Sequence, residues 1–106
     1  MVTNNNFQPT PFQTSSLSSE HVLQWQKVFT SWLMNYNSGN MRRVYQRAIR
    51  DFVDFVEERV DVFDPAKVKQ WMVITWKESL KQTRLSQATI NQKLSAVSAF
   101  YTVAVE

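Results

Sequence analysis

Arg43, Arg47 and Arg50 follow one another at steps of four and three residues within the run SGNMRRVYQRAIRDFVDFV. At 100° per residue on a helix they share a face opposite the apolar stripe that runs through Tyr45 and Phe52, with Gln46 beside them. A guanidinium presents a planar fork of donors that grips a phosphate through two bonds, so such a stripe suits a polyanionic backbone. Its ordinary alternative is a solvated charged face, stitched by pairs such as Arg47 with Asp51 and Arg50 with Asp54.

A second stretch, LSQATINQKLSAVSAFY from Leu85 to Tyr101, carries one cation and no acid. Opposite its apolar positions Ile90, Leu94 and Tyr101 stand Ala88, Gln92, Ser95 and Ala99. Gln87 and Asn91 lie to one side of that face, Thr89 and Lys93 to the other. Gln and Asn amides reach a base edge such as adenine through two bonds, and Lys and Thr suit phosphate oxygens. Small side chains let another backbone come close, which serves packing on a protein domain equally well. These residues alone leave both readings open. Lys77, Lys81 and Arg84 lead into the stretch, so a second basic block flanks it.

The net charge of +3 is modest but unevenly spread. Residues 37–50 hold Arg42, Arg43, Arg47 and Arg50 without an acid, residues 51–64 are strongly acidic, and residues 65–93 are basic again. A helix dipole prefers acids at its start and bases at its end, by about 0.3–1 kcal/mol per well-placed charge. The second helix carries the reverse order, which costs stability while concentrating positive potential at one end. Two basic blocks around an acidic one give a polar molecule with a face for an anion.

Other chemistries find little support. With no Cys there is neither a disulfide framework nor a thiolate metal site, and a single His argues against imidazole catalysis. His21 reads as a first-turn surface residue, and Tyr36, Tyr45 and Tyr101 as core aromatics on apolar stripes. The carboxylates of 51–64 lack a metal-loop spacing and read as a solvated face. No metal and no cofactor are expected. No apolar run approaches the roughly 20 residues that span a bilayer, and no signal peptide opens the chain, so the cytosol or nucleoid is the expected compartment and no membrane partner is expected.

The elements that must position these side chains are helical. Residues 1–18 are polar, without periodicity, and read as a flexible tail; residues 19–106 form one domain. One helix is expected from Ser19 to Asn37, burying Val22, Trp25, Phe29, Trp32, Leu33 and Tyr36. A second follows Ser38 and Gly39 and ends near Arg59. A third opens at Asp64 as N-cap and Pro65 as first helical residue, with Val68, Trp71, Met72, Trp76 and Leu80 inward. The fourth opens at Ser86 as N-cap and buries Ile90, Leu94, Val97, Tyr101 and Ala104. Short connections imply an all-α four-helix bundle.

TINQKLSAVSAFY resembles the closing helix of the N-terminal core-binding domain of tyrosine recombinases, the phage integrases. SGNMRRVYQRAIRDFVDFV resembles that domain's second helix, and DPAKVKQW the start of its third. The resemblance covers about residues 20–105. It implies a SAM-like fold forming half of a C-shaped clamp, with the second and fourth helices against double-stranded DNA. Arg43, Arg47 and Arg50 would then fall on the contacting face of the second helix, and Thr89, Gln92 and Lys93 at the start of the fourth. With the neighbouring positions, the candidate DNA-binding set is Arg42, Arg43, Arg47, Arg50, Lys81, Arg84, Gln87, Thr89, Asn91, Gln92 and Lys93. Two positions depart from the family: Met41 stands where a Thr is common, and an Arg frequent near Ser98 is missing. The resemblance places the catalytic Tyr, Arg, Lys and His residues in a C-terminal domain absent from this chain. It implies that domain, and other recombinase protomers on DNA, as further partners. A protein-interaction module is the alternative, with Phe100, Val103 and Val105 as contributors to an exposed apolar patch. A small helical enzyme is the weakest reading, because no acid–base or nucleophile pair is visible.

Overall fold

The computed structural model describes residues 19–60 and 63–104. The expected tail, 1–18, lies outside the described residues.

Four α-helices form, each where the period of 3.6 places an apolar stripe: α1 (Ser19–Leu33), α2 (Gly39–Glu57), α3 (Gln70–Lys81) and α4 (Gln87–Ala104). No strand occurs among the described residues. Helix α1 stops four residues before the expected Asn37. Asn35 N–H bonds the Trp32 carbonyl and Tyr36 N–H the Leu33 carbonyl, both at 3.1 Å, so the chain leaves the helix through a tighter turn. Tyr36 still packs inward, its ring edge-on to Trp32 and Tyr45.

Helix α2 begins as expected, the Ser38 hydroxyl accepting from Met41 N–H at 3.3 Å. Ala48, Ile49, Phe52, Val53 and Val56 are its buried stripe. Its reversed charge order is partly offset just past its end. Arg59 donates to the Phe55 carbonyl at 2.9 Å, and its guanidinium lies 3.7 Å from the centroid of the Phe55 ring. A cation therefore covers the negative end of the helix dipole after all.

The third helix departs from expectation. Asp64 and Pro65 do open a helical turn, and the Asp64 carboxylate accepts from Ala66 N–H at 2.9 Å. That turn is a three-residue 3₁₀ segment, Pro65–Lys67, and Val68 and Lys69 are extended before α3 starts at Gln70. The break changes which residues face in. Trp76 and Leu80 are buried and Met72 half-buried, but Trp71 is 55% exposed, against its expected inward position.

Helix α4 buries Ile90, Ala96, Val97 and Phe100, with Leu94, Tyr101 and Ala104 half-buried. Phe100 was expected to help form an exposed patch; instead its ring is fully buried, with centroids 5.9 Å from Phe29, 5.3 Å from Trp32 and 5.0 Å from Tyr101. Val103 is exposed, and Val105 lies outside the described residues. On the other side of the core Phe52 meets Trp76 edge to face at 5.2 Å. Burying side chains of this size contributes about 1.5–3 kcal/mol each, so these rings dominate the packing. The Tyr101 hydroxyl is buried without a hydrogen-bond partner among the described residues, and burial, aided by the charge of Asp64, pushes its pKa up.

Candidate nucleic-acid interface

Helices α2 and α4 pack against each other more extensively than any other pair, and the candidate residues gather along their seam. A cleft of about 320 Å³ opens there, lined by Asn40, Arg43, Val44 and Arg47 from α2 and by Thr89, Gln92 and Lys93 from α4. The α2 contributors fall at i, i+3, i+4 and i+7, one helical face. The α4 contributors are its first outward turn.

Local chemistry fixes that turn. The Thr83 hydroxyl donates to the Leu80 carbonyl at 2.6 Å and accepts from Leu85 N–H at 3.2 Å, shaping the α3–α4 connection. Ser86 then caps α4, its Oγ accepting from Thr89 N–H at 3.1 Å and donating to Thr89 Oγ1 at 3.0 Å. The Thr89 hydroxyl is thus held at the cleft's edge. Helix α4 has no acid in its first turn, so nothing there offsets the positive end of its dipole.

The cations of the cleft differ in freedom. Arg43 is exposed. Arg47 has a side chain 75% exposed, with Nε 3.5 Å from Asp51 Oδ1 one turn further along α2. Lys93 is only 16% exposed along its side chain, and its Nζ donates to Asp51 Oδ2 across the α2–α4 seam. The expected Arg47–Asp51 pair therefore forms. The Arg50–Asp54 pair is not among the ion pairs of the described residues. Half-buried Arg50 lies one turn beyond the cleft. Nearby Glu57 has a raised pKa, because partial burial and the charge of Asp54 outweigh the pull of Arg50.

The remaining candidates stand elsewhere. Arg42 Nε donates to the Tyr36 carbonyl at 2.6 Å and lines a separate hollow with Gln26, Phe29, Leu33, Met34 and Gln46. Helix α1 has no base in its last turn, and Arg42 supplies the cation near that end. Gln87 and Asn91 are both exposed and bond each other, Nε2 to Oδ1 at 2.9 Å. Lys81 pairs with Glu78 at 3.2 Å, and Arg84 is exposed on the connection before α4. The structure thus brings Arg43, Arg47, Thr89, Gln92 and Lys93 together and sets Arg42, Lys81, Gln87 and Asn91 apart.

Sequence reasoning missed Asn40 and Val44 as cleft residues, and the contact of Asp51 with Lys93. Asn40 and Val44 share the helical face of Arg43 and Arg47, so extending that period by one turn finds them. Asp51 meets Lys93 across 42 residues, and no local pattern announces that pair. Among the described residues no group of three or more His, Asp or Glu side chains could hold a metal ion. No helix of the described residues is long and apolar enough to cross a membrane.

Fold and sequence now define the class: an all-α, four-helix domain with a cleft lined by Arg43, Arg47 and Lys93 between its second and fourth helices. Residues 29–106 match the family described as phage integrase, N-terminal SAM-like domain, and the chain belongs to that family. It is accordingly a domain of the integrase, or tyrosine recombinase, class. No curated protein and no solved structure matches the chain.

Proposed function

We propose that this domain grips one half-site of double-stranded DNA through the α2–α4 seam, as the non-catalytic arm of a tyrosine recombinase. The observation that carries the reading is the meeting of Arg43 and Arg47 with Thr89 and Gln92 around one cleft, from the two helices that pack most extensively on each other. Arg43 and Arg47 contact phosphate, Arg50 and Arg84 extend the basic track, and Gln92 is the amide placed to meet a base edge. Strand cleavage belongs to a C-terminal catalytic domain of the parent protein, and this chain alone is inert toward cleavable DNA. Affinity comes mainly from phosphate contacts and falls with salt, while isolated sequence discrimination is weak. Other protomers of the parent assemble beside it on the same DNA.

The test is a titration of the isotopically labelled chain with random-sequence duplex at about 50 and 200 mM salt, a range over which phosphate contacts weaken steeply. Amide shifts that centre on residues 40–47 and 86–93 and fade at the higher salt are expected. Unchanged affinity in both Arg47→Ala and Gln92→Ala at low salt would sink the assignment.

A second reading, a protein-interaction module, is favoured by one observation. Trp71 and Ile74 lie three residues apart on the outward face of α3 and are each more than half exposed. That face is distinct from the cleft, so the two readings do not compete for the same residues.

A further inference from the structure

Lys93 is drawn into the cleft wall rather than offered to it. Its side chain is largely buried along the α2–α4 seam, and its ammonium donates to Asp51, which also stands 3.5 Å from Arg47 Nε. Asp51 itself does not line the cleft; it stands one helical turn beyond Arg47 on α2. A phosphate entering the cleft therefore competes for Lys93 with a carboxylate already in place. The two helices hold that carboxylate in position by their packing, and its side chain is only one-third exposed. An ion pair of this kind keeps its contact because separating it leaves a partly desolvated charge on each side.

We propose that Asp51 is an internal counter-anion of the DNA cleft, a specificity-determining residue that withholds Lys93 from the phosphate backbone. The proposal rests on the DNA reading of the cleft. With Lys93 occupied, sequence-independent attraction comes from Arg43 and the exposed guanidinium of Arg47, and a base contact through Gln92 forms a larger share of total affinity. Removing the carboxylate charge frees a cation for phosphate and raises affinity for every sequence alike. Discrimination falls in consequence, since the added attraction is blind to sequence.

Counting phosphate contacts by salt dependence tests this, because each adds about 0.9 to the slope of log affinity against log salt on duplex DNA. Random-sequence duplex is titrated with the 106-residue chain and with Asp51→Asn, Lys93→Gln, the double variant and Arg43→Gln. Asp51→Asn is expected to steepen the slope by about 0.9 and to bind random duplex several-fold more tightly at the lowest salt. Lys93→Gln leaves the slope at its starting value, and the double variant returns to it. That return assigns the gain to Lys93, and damage to the fold is told apart because it would weaken binding in Asp51→Asn rather than strengthen it. The proposal is overturned if Lys93→Gln flattens the slope as much as Arg43→Gln does, or if Asp51→Asn leaves it unchanged while its thermal melt remains cooperative. Failure of the DNA reading itself shows differently: Arg43→Gln then has no effect on the slope either.

Discussion

His21 Nε2, in the first turn of α1, stands 2.8 Å from Asp64 Oδ1, the residue that caps the Pro65–Lys67 turn 43 positions later. His21 is half-buried and its ring meets Trp25 edge-on, so it ties the start of α1 to the entrance of α3 rather than ranging over the surface. Burial by itself would raise the Asp64 acid. The hydrogen bonds from His21 and the Ala66 amide, with the charges of His21 and Lys67, outweigh it and hold the pKa below its ordinary 3.8.

A depressed carboxyl pKa stabilises the fold above the unfolded-state value and stops doing so as pH falls through the folded value. The Asp64 contribution is therefore complete above about pH 4 and fades below it. Asp64→Ala should cost about 1–2 kcal/mol at neutral pH, through the lost cap and tether. Urea melts of both proteins at pH 7 and pH 3 are expected to show the gap narrowing at the acidic end.

The aromatic core predicts a contrast between two tryptophans in one helix. Trp76→Ala should remove about 3–5 kcal/mol, because the ring is buried against Phe52 and its loss leaves a cavity. Trp71→Ser, five residues earlier and mostly exposed, should change stability by less than about 0.5 kcal/mol. Equal losses in thermal or urea unfolding would contradict the α3 register.

Arg42 and Arg43 are neighbours with opposite expected phenotypes. Arg42→Ala removes the bond to the Tyr36 carbonyl and should lower stability by about 1 kcal/mol or more, with little effect on DNA affinity. Arg43→Ala should leave the melt almost unchanged while weakening DNA binding and reducing its salt slope by about 0.9. Paired melts and fluorescence titrations check both halves.

Ser86→Ala should cost about 1 kcal/mol by removing the cap of α4. Because the same hydroxyl holds Thr89, the amide signals of residues 87–89 should broaden or shift more than those of the buried turn around Val97.

Much of this architecture was legible before any coordinates. Four apolar stripes at helical period gave four helices, and Ser38, Asp64 and Ser86 each cap the turn that their residue type favours. The helix break at Val68 and Lys69 was not legible, since AKVKQ contains no Gly or Pro and its residues tolerate helix. The Asp64-capped turn that precedes the break is itself held to α1 through His21, a tertiary contact that no local pattern announces. A helix running unbroken from Pro65 puts Trp71 on the inner face with Val68 and Met72; the later start at Gln70 leaves it outward. In the cleft, face membership of Arg43, Arg47, Thr89 and Gln92 follows from period alone. The fates of Arg42 and Lys93 do not, because each is decided by one partner, the Tyr36 carbonyl or the Asp51 carboxylate, that helical period does not point to.

The rings of Trp32, Phe100 and Tyr45 have a mechanical consequence. Phe100 on α4 abuts Trp32 on α1, and Trp32 stacks on Tyr45 of α2 with planes only 10° apart. The two helices that form the cleft walls are thus bolted from behind to a common third helix. Spreading the walls would require parting buried Trp32 from Phe100 and from half-buried Tyr45, so the packing of the folded chain resists a change in the width of the cleft. On the proposed DNA reading, such a gauge is set during folding: it would accept a backbone of matching dimensions with little loss of freedom and would not widen for a broader one.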